Sequence, residues 1–230
     1  VASKVRAALS LSLIVETAIK VADEGGLEAV TMRGVGQRLN ATGMALYRHV
    51  ANREALIELM IDQVVKEFAY PEGRPEHWRD ALQAAARQDW RSYFAHPWML
   101  AATATAKPPM GPNMLASMEW SLATFDGLGL SGAEKLYLLG VVNSYGQGLA
   151  LSWGHGFLAR GEDREDAAEW WMANLPGEGE VETSPRYSRL LEVTKSLGVS
   201  PASEGYIDDE FEFGLQRVLD GIQVYLDSRG

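Results

Sequence analysis

Between Thr31 and Val50 the apolar positions fall at helical spacing twice, with a break at Asn40-Ala41. Met32, Val35 and Leu39 recur at three and four residues and share one face of a first helix; Leu46 and Val50 repeat the spacing in a second. Thr31 is placed to cap the first helix, because a threonine hydroxyl accepts from an amide left unpaired in a first turn, and Thr42 is placed to cap the second. Asn40 stands where the first helix must stop, and asparagine tolerates the left-handed backbone that a tight exit needs. Two short helices joined by such a turn describe a helix-turn-helix. The second helix turns Thr42, Gly43, Met44, Tyr47 and Arg48 outward: small or hydrogen-bonding groups first, aromatic and cationic groups beyond. A recognition helix reads base edges with its N-terminal residues and is held on the phosphates by flanking groups.

The same periodicity predicts helices along the rest of the chain. Residues 4–25 form the helix before this motif, with Leu9, Leu13, Ala18, Val21 and Ala22 as its buried stripe and Gly25-Gly26 as its end. Asn52 caps a fourth helix reaching Phe68, with Glu54 in its first turn and Ala55, Leu56, Leu59, Met60 and Val64 inward. Breakers at 70–75 precede a helix over 76–95 carrying Trp78, Leu82, Ala85, Ala86, Trp90 and Phe94, which His96-Pro97 ends. A short helix from Trp98 to Thr105, a loop over 107–112, and helices over 113–127 and 132–152 follow. Ser131 with Glu134 makes a capping box for the longer one. Residues 159–205 are the least regular, with the acidic run 162–166, Trp170-Trp171 and a loop over 176–183; the acidic run reads as a solvated helix face. A last helix runs from Tyr206 to Asp227, with Phe211, Leu215, Val218, Leu219, Ile222 and Leu226 on one wide stripe. No segment alternates with the period of a strand, so the chain reads as all-α.

Charge sharpens this reading. The net charge of −10 argues against nucleic acid until the chain is divided: residues 1–56 carry +2 and the remainder −12. Arg33, Arg38, Arg48 and Arg53 all fall in or just after the helix-turn-helix, so a small basic face stands on an acidic body. With no cysteine in the chain, disulfides and thiolate chemistry are excluded. No apolar run is long enough for a membrane helix and no secretory signal is evident, so a cytoplasmic protein is expected. An enzyme is the rival class. The four histidines, His49, His77, His96 and His155, show no metal-ligand spacing, and Gly146-Gln147-Gly148 and Gly154-His155-Gly156 follow no strand. No catalytic residue, cofactor or metal site is expected.

Residues 10–65, with ADEGGLEAVTMRGVGQRL, the turn NAT and GMALYRHVANREALIELM, closely resemble the DNA-binding domain of the TetR family of bacterial transcriptional repressors. Gly34 and Gly36 depart from the better helix formers usual there, each at about 1 kcal/mol relative to alanine, and Asn40 replaces the commoner glycine. The resemblance implies a DNA-binding domain over 1–52 and a helical effector-binding and dimerisation domain over 53–230. It implies that Thr42, Gly43, Met44 and Ala45 lie nearest the bases, while Arg33, Tyr47, Arg48, His49 and Arg53 position the DNA backbone. It also implies a homodimer, built on the 132–152 helix and the last helix, that binds double-stranded operator DNA and a small-molecule effector. Asp89, Tyr93, Thr103, Met114, Glu119, Trp120, Leu139, Asn143 and Gln147 are the candidate effector contacts. The stretch from His96 to Pro109 is similar to that of tetracycline-responsive repressors, with Thr103 where they place a histidine and Lys107-Pro108 for their Arg-Pro pair. Loss of that imidazole predicts an apolar or aromatic effector bound without a metal. A DNA-binding regulator with no effector remains the alternative.

Overall fold

The computed structural model describes residues 9–105, 107, 109–153, 185–189, 192–193 and 204–229. Residues 4–8, Pro108, Gly154-His155-Gly156, the acidic run 162–166, Trp170-Trp171 and the loop over 176–183 lie outside the described residues. Among the described residues all regular structure is helical. The chain divides into two compact units, Val1–Asn143 and Ser144–Gly230.

The first unit begins with α1 (Leu11–Ala29), α2 (Met32–Arg38), α3 (Gly43–Leu46) and α4 (Arg53–Glu67). The Ser10 hydroxyl accepts from the Leu13 amide, so α1 starts at Leu11 rather than at residue 4. Its buried stripe is Ile14, Val15, Ala18, Ile19, Val21 and Ala22, with Leu9 and Leu13 only half-buried. The axis breaks at Gly25-Gly26, where Gly26 takes φ 72°, and one further turn carries the chain to Val30. In α4 the inner face is Leu56, Met60, Ile61 and Val64. Leu59, expected inside, is exposed: the inner face runs through Met60 and Ile61, which turns Leu59 toward solvent.

The unit continues with α5 (Trp78–Ala95), α6 (Trp98–Thr103) and α7 (Pro112–Ala123). Helix α4 packs against both α1 and α7, while α6 packs against α1 and α5. The helix that follows the helix-turn-helix therefore touches the later part of the unit directly. Helix α8 (Gly132–Trp153) opens with the expected capping box: Glu134 accepts from the Ser131 amide at 2.7 Å, and the Ser131 hydroxyl accepts from the Glu134 amide at 3.3 Å. Leu136, Tyr137 and Val141 on α8 are exposed.

In the second unit, the end of α8 is tied to α9 (Glu204–Asp227) by the Tyr145 hydroxyl, which donates to the carbonyls of Glu210 and Phe211. The Trp153 indole donates to the Glu210 carboxylate at 3.0 Å. Ile207, Phe211, Leu215, Leu219 and Ile222 are buried, whereas Leu151, Phe213 and Val224 are exposed.

Candidate nucleic-acid interface and ligand site

Each end of the helix-turn-helix is closed by the side chain that the sequence placed there. The Thr31 hydroxyl accepts from the Gly34 amide at 3.0 Å, the Thr42 hydroxyl from the Ala45 amide at 3.3 Å, and the Asn52 side chain from the Ala55 amide at 2.7 Å. Asn40 takes φ 51°, the left-handed turn that ends α2. The buried glycine at 36 explains one departure from good helix formers. A Cβ there would stand 3.0 Å from the Ala41 carbonyl and 3.2 Å from the Gly43 amide, so only glycine lets the turn lie on α2.

Behind α3, Leu46 and Val50 are fully buried. In front, Thr42, Met44, Tyr47, Arg48 and His49 are all exposed, with Met44 at 74% and Ala45 and Gly43 between them half-buried. Regular helix ends at Leu46; Arg48 and His49 continue in a tighter turn held by carbonyls three residues back. Arg33 is exposed at the start of α2, and the side chains of Arg33, Arg48 and His49 have no polar partner among the described residues. Arg38 differs, since its guanidinium grips the Glu24 carboxylate.

Arg53 is placed otherwise than the other cations. Its Nε donates to the Val30 carbonyl at 2.7 Å and its Nη2 to the Leu27 carbonyl at 2.6 Å. Two edges of the fork thus hold the end of α1, and local spacing carries no sign of this because those carbonyls lie 23 and 26 residues back.

The candidate ligand residues separate into groups. Asp89 and Trp120 meet around Tyr70, a residue of the connection between α4 and α5. The Tyr70 hydroxyl donates to the Asp89 carboxylate at 3.0 and 3.1 Å, and its ring lies 5.0 Å from that of Trp120. The Trp120 indole donates to the Pro71 carbonyl at 3.1 Å. Burial pushes the Asp89 carboxyl up to about 7, against the opposing pull of the Tyr70 hydrogen bond. Burial also raises the Tyr70 phenol, with the Asp89 charge adding to it and Ser121 and Tyr93 close enough to act on it. Both Tyr70 and Asp89 nevertheless keep accessible surface. Tyr93 is buried, Met114 and Leu139 are half-buried, and Glu119 and Asn143 are exposed. The Thr103 hydroxyl is used within its own helix, donating to the Met99 carbonyl at 2.8 Å. Gln147, half-buried, belongs to the second unit.

Comparison with known proteins places this geometry. The profile of the family described as "Bacterial regulatory proteins, tetR family" matches residues 14–60, and that of "Tetracyclin repressor-like, C-terminal domain" matches residues 70–226. The HTH-type transcriptional repressor DrrR1 of Streptomyces coeruleorubidus is 33% identical over 222 residues, covering 96% of this chain and 80% of its own. Apo ActR from Streptomyces coelicolor superposes with a TM-score of 0.72 at 26% identity, over 97% of this chain and 99% of that one. ActR in complex with actinorhodin gives a TM-score of 0.72 at 27% identity, over 94% and 96%.

Proposed function

From the premise that the chain belongs to the tetR family of bacterial regulatory proteins, as DNA-binding, helix-turn-helix transcriptional repressors, we propose a homodimeric repressor that a small organic effector releases from a pseudo-palindromic operator. The observation that carries the DNA half is the exposed row on α3 over a fully buried Leu46 and Val50. The fold spends those two apolar residues on fixing the helix and leaves Met44, Tyr47, Arg48 and His49 facing outward. Thr42, Gly43, Met44 and Ala45 lie nearest the bases, with Met44 or Ala45 against a thymine methyl. Arg33, Tyr47, Arg48 and His49 position the backbone, joined by the remaining Nη1 of Arg53. Half-sites stand about one helical turn, roughly 34 Å, or more apart.

Residues 1–52 serve as the DNA-binding part and 53–230 as the effector-binding and dimerising part. The exposed apolar groups Leu151, Phe213 and Val224 support a face covered by a second copy. The effector is largely apolar or aromatic and bound without a metal. Tyr70, Trp120 and Asp89 support this: two aromatic rings in contact beside a deep carboxyl group with surface still open suit a flat molecule carrying a polar edge. The complex of ActR with actinorhodin supports an organic ligand as the effector. Effector binding tilts α4 and changes the spacing of the recognition helices; a hundredfold loss of operator affinity needs about 2.7 kcal/mol of coupling. The protein acts in the cytoplasm and catalyses no reaction.

The test is a mobility shift on the DNA upstream of the protein's own gene, with actinorhodin as the first of a series of apolar and aromatic probes. A dimer-sized shift released by one compound, which in turn binds less tightly when operator is present, is the expected result. A salt-sensitive shift that no compound releases would leave the effector-free regulator as the better reading.

A further inference from the structure

Helix α7 has no cap of its own. Gly111 offers no side chain, Pro112 no amide, and the amides of Asn113 and Met114 are left to find an acceptor elsewhere. That acceptor comes from another helix. Asp62, half-buried on α4, takes the Asn113 amide at 2.9 Å and the Met114 amide at 3.2 Å on Oδ1, and the Asn113 side-chain amide at 2.6 Å on Oδ2. A Cβ on Gly111 would stand 2.2 Å from Asp62 Oδ1, so the carboxylate reaches α7 only over a glycine. A full negative charge against a helix N-terminus is held more firmly than a neutral hydrogen bond, and it is directional where apolar packing can slide.

We propose that Asp62 is the positioning residue that makes α4 follow the start of α7, so that a displacement of α7 by effector reaches the DNA-reading helices. The inference rests on the repressor reading above and names its coupling residue. Met114, a candidate effector contact, supplies one of the amides that Asp62 holds. At the first turn of α4, Arg53 holds the carbonyls of Val30 and Leu27. The two attachments are about 13 Å apart along one helix at 1.5 Å per residue. With α4 held at these two points by charged groups, moving the start of α7 against the end of α1 tilts α4 or breaks one attachment.

Hydrogen exchange on the full-length chain tests this without any ligand. Asp62→Asn keeps the shape, removes the charge and leaves Asn113 facing a second amide. Exchange should quicken about tenfold at the start of α7 and also at residues 27–31 and the first turn of α4. Quickening confined to α7 would overturn the proposal. Ser131→Ala, which loosens the start of α8, is the control; if it disturbed residues 27–31 equally, the Asp62 effect would be general loosening and the proposal would fail. Should Asp62→Asn not fold, Asn113→Ala removes only the 2.6 Å bond and should give the same pattern, weaker. In a second arm, a duplex selected by the wild-type protein from a random pool should slow exchange at the start of α7, and should lose that effect in Asp62→Asn while still binding. An undiminished response in the variant would overturn the proposal. Failure to select any duplex would count against the repressor reading, with the ligand-free arm still deciding the role of Asp62.

Discussion

Asp23 and His96 stand 73 residues apart in the chain, and their side chains meet at 2.7 Å. The same Asp23 oxygen accepts the Trp98 indole at 2.8 Å, so one carboxylate near the end of α1 serves two donors at the corner between α5 and α6. Both donors are buried residues. Asp23→Ala should therefore cost about 2–4 kcal/mol, since it strands two buried polar groups at once. Asp23→Asn keeps an acceptor oxygen and should cost less than half of that. Urea unfolding of the two variants checks the ordering; equal losses would mean that the carboxylate charge, not the paired acceptor, holds the corner.

Arg53 joins two roles that substitution can separate. Its Nε and Nη2 hold the end of α1, while Nη1 is the edge proposed to meet phosphate. Arg53→Ala should lower stability by about 1–3 kcal/mol, as a charge-assisted pair of bonds is lost. It should also weaken every DNA sequence alike and reduce the slope of log affinity against log salt by about one. Arg48→Ala should reduce the slope equally with almost no change in stability. A full salt slope in Arg53→Ala would assign Arg53 to bracing alone.

How much of this the sequence revealed depended on distance along the chain. Thr31, Asn40, Thr42 and Asn52 were legible because a cap or a turn is decided within four residues, by groups that meet whatever the rest of the chain does. The exposed row from Thr42 to His49 followed from the same local geometry once Leu46 and Val50 were assigned inward. The attachments of Asp62, Arg53 and Asp23 were invisible. Their partners lie 51, 23 and 73 residues away, and periodicity carries no information over such spans. Tyr70 carries no sign in the sequence because its neighbours Pro71 and Gly73 mark a loop, yet loop residues are free to point inward, and this one completes the surroundings of Asp89.

Asp89 gives the protein a dependence on pH. Its carboxyl sits at about 7 in the folded chain against an ordinary 3.8, raised by burial. Below pH 4 both folded and unfolded chains hold the proton and the group costs nothing. Between pH 4 and 7 the unfolded chain gives up the proton first, so stability falls as pH rises, and it levels off above 7. The loss should be on the order of 2–4 kcal/mol across that window. Asp89→Asn cannot ionise and still accepts from Tyr70, so it should flatten that part of the profile and be the more stable form at pH 8. Thermal unfolding at pH 5, 6, 7 and 8 is the measurement; parallel profiles for the two proteins would place Asp89 in water.

Gly36 and Gly43 separate what the fold needs from what DNA needs. Alanine normally gains about 1 kcal/mol over glycine inside a helix. At Gly36 that gain is overridden, because the new Cβ meets the backbone of Ala41 and Gly43 at 3.0 and 3.2 Å, and a turn capped at both ends has little room to retreat. Gly36→Ala should lower the unfolding midpoint and weaken DNA binding together. At Gly43 the nearest atoms are 3.6 and 3.7 Å away, an ordinary contact, so nothing in the chain itself requires glycine there. If α3 enters the major groove N-terminus first, the reason for Gly43 lies in the DNA. Gly43→Ala should then leave the midpoint unchanged or slightly raised while operator affinity drops about tenfold, the cost of one misfitted contact near 1.4 kcal/mol. Unimpaired operator binding by Gly43→Ala would move the bases away from the start of α3 and leave Met44 and Tyr47 as the first groups to reach them.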